Sequence, residues 1–132
     1  MIELLLGITL FVLIFSHVMT AFAPTATDYQ RIVRGYSFAI TIANWYINRQ
    51  EGLIFYHGHL PASELGLQRD ITALIQQHFP NLPKELPKAK ALVNQAKVGD
   101  HLYQIEFILD WEAGSKRHQY KINRLKTAPG AL

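Results

Sequence analysis

Residues 101–111 read HLYQIEFILDW, and their period decides the fold. Tyr103, Ile105, Phe107, Leu109 and Trp111 alternate with Gln104, Glu106 and Asp110, so one side of the segment is apolar and the other mostly polar. Successive side chains of an extended chain point to opposite faces, and the spacing predicts a strand with one buried face. Lys90 to Val98 leads into it through Gly99-Asp100, and His118 to Leu125 follows it through Glu112-Ala113-Gly114-Ser115. Turn-forming connections of that length predict an antiparallel meander of three strands.

A sheet with one apolar face needs a cover, because neither surface is stable in water alone. Ile32, Tyr36, Ala39, Ile40, Ala43, Tyr46 and Ile47 recur at helical spacing and predict an amphipathic helix that packs on the Tyr103 to Trp111 face. Arg31, Arg34, Asn44 and Arg49 fall largely off that stripe. Thr27-Asp28-Tyr29-Gln30 fits a capping box at its start, and Gly52 is placed to stop it. Leu53-Ile54-Phe55-Tyr56 reads as a first strand or an extended connector. Leu67, Ile71, Leu74, Ile75 and Phe79 predict a short helix within 62–79, and PNLPKELP at 80–87 a proline-punctuated loop.

Upstream lies IELLLGITLFVLIFSHVMTAFA, Ile2 to Ala23, in which Glu3 and His17 are the only ionisable side chains. A helix of that length spans about 33 Å, enough to cross the hydrocarbon core of a bilayer. A cleaved secretory signal needs a basic start, a shorter apolar core and a small-x-small site. The run fits an uncleaved anchor better. Ala23-Pro24 is expected to bend or interrupt the helix, since proline lacks the amide hydrogen. The expected class is therefore α+β, a long N-terminal helix packed on a C-terminal antiparallel sheet of three or four strands. Residues 1–23 form the membrane helix and 24–132 one soluble domain, comprising an amphipathic helix (24–52), a linker with a short helix (53–88) and the sheet (89–126). With 132 residues the chain has room for one such domain.

Composition narrows the chemistry. The chain has no cysteine, which excludes disulfides, thiolate metal sites and Cys nucleophiles. Residues 24–132 carry all 13 Lys and Arg and nine of the ten Asp and Glu, a formal charge of +4. The charge is scattered, Lys116-Arg117 being the only adjacent basic pair, so no nucleic-acid interface is expected. No serine lies in a Gly-x-Ser-x-Gly elbow, and the eight glycines form no phosphate loop. Glu51 or Glu64 with Asp70 makes no convincing acid–base pair, and enzyme activity and cofactors are not expected. Trp45, Tyr46, Trp111 and Tyr120 fall on or beside core patterns and read as packing rather than a ligand platform. His57-Gly58-His59 is the only close histidine pair; two imidazoles at i and i+2 can share a metal, but a third ligand is needed and none is named by the sequence. Surface histidines beside a glycine turn are the simpler reading.

Glu3 is the residue left over. A carboxylate within a bilayer costs about 2.5–3.5 kcal/mol at the centre of a span and less near its end, and such groups usually have a partner. Ile2-Glu3-Leu4-Leu5-Leu6, the uninterrupted apolar run, a proline about twenty residues on, an amphipathic helix and a C-terminal antiparallel sheet together resemble the type IV pilin and type II secretion pseudopilin family. In that family the N-terminal block reads Gly, then Phe-Thr-Leu-Ile-Glu-Leu-Leu; a prepilin peptidase cuts after the Gly and the new terminal Phe is N-methylated. Met1-Ile2-Glu3-Leu4-Leu5 is similar to the last five residues of that block, with Met1 at the position of Leu. The basic leader, the Gly and the Phe-Thr pair are not in the chain, so translation is expected to begin upstream, or this copy is truncated.

The resemblance implies that Glu3 acts in assembly, pairing with the terminal amine of a neighbouring subunit as helices pass from the membrane into a filament. The small domain, with Ala43-Asn44-Trp45 and Asn48-Arg49, looks more like a minor subunit than a major one. Implied partners are other pilin or pseudopilin subunits, the inner-membrane assembly machinery, membrane lipid and, with the leader restored, prepilin peptidase. Basic residues lying only after the span would hold the C-terminal part in the cytoplasm; a restored leader reverses this. The location implied is then the bacterial inner membrane, single-pass, with the C-terminal domain periplasmic, or extracellular in the assembled filament. Two alternatives stay open: an unrelated single-pass anchored binding domain, and a membrane-tethered metalloprotein using His57 and His59.

Overall fold

A computed structural model of the chain describes residues 1–129, apart from the side chains of 22–28. Two compact units are present, Met1–Arg34 and Gly35–Leu132. The chain is α+β: a long helix α1 (Ile2–His57) is followed by a 3-10 turn (Ala62–Glu64), β1 (Gly66–Asp70), α2 (Thr72–His78), α3 (Leu82–Glu85), β2 (Lys90–Gly99), β3 (Leu102–Ala113) and β4 (Lys116–Thr127). The four strands form one antiparallel sheet in the order β1-β2-β3-β4.

The alternating segment is β3, a central strand. Tyr103, Ile105, Phe107, Leu109 and Trp111 are all buried, each within 3% of full cover. From Gly35 onward α1 lies on that face. The Tyr46 ring sits 5.6 Å from Phe107, and Tyr36 meets Trp111 edge-on at 5.0 Å. Ala39, Ile42, Ala43, Tyr46, Ile47 and Ile54 are buried along the helix, and Ile71, Ile75, Leu82 and Leu86 close the core from the short helices. Each of these Ile and Leu side chains taken fully out of water stabilises the fold by about 1.5–3 kcal/mol. Gly35 lets the helix approach this closely: a Cβ there would stand 3.3 Å from Trp111 Nε1.

Several boundaries differ from expectation. Pro24 does not interrupt α1, which is helical from Ile2 to His57, so Thr27 heads no helix; its side chain and that of Asp28 lie outside those described. Gly52 does not stop the helix either. The stop is Gly58, whose φ of 74° suits a residue without Cβ and whose amide donates to Ile54 O at 2.8 Å. Leu53–Tyr56 is accordingly the last turn of α1, not a strand, because Ile54 points wholly into the core. On the stripe, Ile40 is 41% exposed, while Ile42 and Gln50 are buried in its stead.

The predicted helix over 62–79 is shorter, Thr72–His78, since Gly66–Asp70 pairs with β2 as an edge strand within the expected linker. Residues 80–87 hold one helical turn, α3. The two sheet edges are unlike. β1 is short and shifts register between Gly66 and Arg69, with Gln68 at φ 52°, whereas β4 pairs with β3 residue for residue from Leu102↔Thr127 to Ala113↔Lys116.

Candidate functional site

The first unit supplies the candidate. Ile2–Ala21 is the one helical stretch among the described residues long and apolar enough to cross a membrane, and none of it is buried. Leu4, Leu6, Leu10, Phe11 and Phe15 are each more than half exposed. A soluble protein rarely leaves so continuous an apolar surface to water, and such a patch marks a membrane or an interaction surface.

Three polar side chains within the stretch turn back on the helix. The Thr9 hydroxyl donates to Leu5 O at 2.8 Å, the Thr20 hydroxyl to Ser16 O at 2.7 Å, and His17 Nδ1 to Leu13 O at 2.8 Å. Unsatisfied polar groups in hydrocarbon cost several kcal/mol, and bonding to the carbonyl one turn back removes that cost within the helix. Glu3 is different. It lies in the first turn of α1, where the helix macrodipole favours a negative charge by about 0.3–1 kcal/mol, and its carboxylate has no hydrogen-bond or ion-pair partner among the described residues.

The histidine pair lies in the second unit, His57 in the last turn of α1 and His59 just past Gly58. His59 Nδ1 donates to His57 O at 2.9 Å, and the two ring centroids are 6.5 Å apart. One of the four ring nitrogens is thereby committed to backbone, and no group of three or more His, Asp or Glu capable of holding a metal exists among the described residues. Trp111 and Tyr46 are core residues; Trp45 is half-buried against His78, at 4.5 Å, and Phe79, at 5.6 Å. Tyr120 is half-buried on β4.

Sequence reasoning missed a polar cluster beneath β1. The Tyr46 hydroxyl donates to Gln95 Oε1 at 3.0 Å, while Gln95 Nε2 and Arg69 Nη1 both donate to Glu64 O, the latter at 2.7 Å. Arg69 also lies 3.6 Å from the Glu64 carboxylate. Burial raises the Tyr46 pKa well above the ordinary tyrosine value, nearby Glu64 raises it further, and Arg69, Arg49 and the Gln95 bond only partly offset this. The hydroxyl stays protonated. The cluster fastens the 3-10 turn and β1 to the sheet, and alternation alone could not reveal it, because Gln95 occupies a core position of β2.

Two surface cavities lie among the described residues of the second unit. One of about 660 Å³ lies between the end of α1 and the end of β4, lined by Glu51, Gly52, Phe55, Lys126 and Pro129 among others. Another of about 530 Å³ lies on the polar face of the sheet beside Leu67, Gln68, Asn94 and Glu106. No protein-family profile, curated protein or solved structure matches the chain.

Proposed function

We propose that this chain is a pilin-like structural subunit, of the minor kind, in a type IV pilus, competence pilus or type II secretion pseudopilus, and that it has no chemistry of its own. One observation carries the reading: an exposed apolar helix, Ile2–Ala21, holds in its first turn a carboxylate without a partner among the described residues, while the side chains of Thr9, His17 and Thr20 bond back to the helix. An unpaired charge at such a place calls for a partner from another molecule, and an ion pair is destabilised strongly when one member is removed. The α+β domain that follows, with α1 packed on an antiparallel sheet from Gly35 onward, is the architecture the resemblance implies.

In this reading Ile2–Ala21 has two successive surroundings, lipid in the bacterial inner membrane and then neighbouring helices of pilin or pseudopilin subunits. The C-terminal domain is periplasmic, or extracellular in the filament, and the inner-membrane assembly machinery draws the subunit out. The test is Glu3→Ala and Glu3→Val in the organism's own pilus or secretion background. Membrane insertion should persist or improve while filament assembly or secretion falls. Unchanged assembly would remove Glu3 from the mechanism and this reading with it.

A further inference from the structure

The geometry points to β4 as a docking edge for an extended acidic segment of a partner protein, added to the sheet as a fifth strand. No described strand pairs with the far side of β4, whose twelve residues, KRHQYKINRLKT, run in unbroken register along β3. The opposite edge carries the devices that prevent strand addition: β1 has five residues, a register shift, and Gln68 in a left-handed conformation. β4 has no proline and no bulge, and so keeps a regular row of backbone donors and acceptors.

Side chains decide what such an edge admits. β4 contains Lys116, Arg117, Lys121, Arg124 and Lys126 and no acidic residue. Arg117 and Lys121 are turned to Glu112 and Glu106 of β3, at 3.3 and 3.4 Å. The helix-side residues are those registered with the buried face of β3, namely Lys116, His118, Tyr120, Ile122, Arg124 and Lys126. Tyr120 and Ile122 are only half-buried, and Lys116 and Arg124 are exposed at either end of them. An added strand with two apolar residues opposite Tyr120 and Ile122 and acids opposite Arg124 and Lys116 would finish covering the core and pair both charges. A second copy of β4 would instead set cations against cations, which is destabilising for directly opposed residues.

The test uses the full chain in detergent micelles and the synthetic peptide Glu-Thr-Val-Thr-Val-Thr-Ala-Thr-Glu. Saturable binding, slowed amide hydrogen exchange across residues 116–127, and binding weakened roughly tenfold by Arg124→Glu are expected. The same peptide with alternate backbone nitrogens methylated keeps its charge but cannot pair as a strand, and should not bind. Equal binding of the methylated peptide, unchanged exchange in β4, or crosslinks showing two chains joined through β4 would each overturn the proposal. Arg124 lies on the surface, far from Glu3 in sequence, so this result and the assembly phenotype of Glu3 variants are read independently.

Discussion

The Tyr46 hydroxyl and Gln95 Oε1 form a buried side-chain hydrogen bond, 3.0 Å long, between residues 49 positions apart in sequence. It ties α1 to β2 through the core. Tyr46→Phe leaves the Gln95 oxygen buried without a donor and should destabilise the second unit by about 1–3 kcal/mol. Both tryptophans, Trp45 and Trp111, lie in that unit, so tryptophan fluorescence during denaturant unfolding reads it without interference from the apolar helix. The pH dependence has a sign. Because the folded pKa of Tyr46 is raised, its contribution is fully present below the ordinary tyrosine value near 10 and is lost as pH rises through the folded value. Tyr46→Phe should therefore flatten the alkaline limb of the stability curve.

Gln50 offers the opposite case. It is fully buried, and neither its Nε2 nor its Oε1 has a hydrogen-bond partner among the described residues. Replacing it with Met removes two unsatisfied polar atoms at similar volume and should stabilise the unit by about 1–3 kcal/mol in the same fluorescence measurement. A loss of stability would show that the amide is bonded in solution.

Asp70 and Thr72 clip α2 to the sheet. The Asp70 carboxylate accepts from the Thr72 hydroxyl at 2.6 Å and the Thr72 amide at 2.9 Å, while Thr72 Oγ1 accepts from the Ala91 amide of β2 at 2.9 Å. The Thr72 hydroxyl and amide hold the Asp70 pKa below the usual carboxylate range. With a depressed folded pKa, its contribution is present above the unfolded value near 3.9 and is lost as pH falls through the folded one. Asp70→Asn should narrow the difference in unfolding midpoint between neutral and strongly acidic solution. Thr72→Val, which also orphans the Ala91 amide, should cost about 1–2 kcal/mol at neutral pH.

Gly35 tests the closeness of helix and sheet. A larger side chain meets Trp111 Nε1 and Leu86 Cδ2, at 3.3 and 3.5 Å from the position of its Cβ, and the indole is 1% exposed with no room to retreat. Gly35→Val should destabilise the unit by about 1–3 kcal/mol and shift the tryptophan emission of the folded state.

Period was the legible part of this chain. β3 alternates because one face is core and the other faces water, and α1 from Ala39 to Ile47 repeats at helical spacing for the same reason, so both could be read directly. β1 could not. Its sequence, GLQRD, carries no alternation, and it exists because Asn94 Oδ1 accepts from the Gln68 amide and because Arg69 and Gln95 hold Glu64 beside it. Leu53–Tyr56 misled for the converse reason. A glycine inside a helix costs about 1 kcal/mol, which suggests a stop at Gly52, but burying Ile54 one half-turn later offsets that cost. Glu3 stood out by charge alone, whereas the open side of β4 is a matter of strand order, which no local pattern encodes.

The unlike edges of the sheet bear on stoichiometry. Pairing at β4 has a definite terminus on the other side, since the bulged β1 offers no regular ladder to continue it. A molecule of this chain can therefore accept one extended guest but cannot pass the pairing on to the next molecule. Ribbon-like stacking of sheets is closed off by geometry at one margin and by like charge at the other.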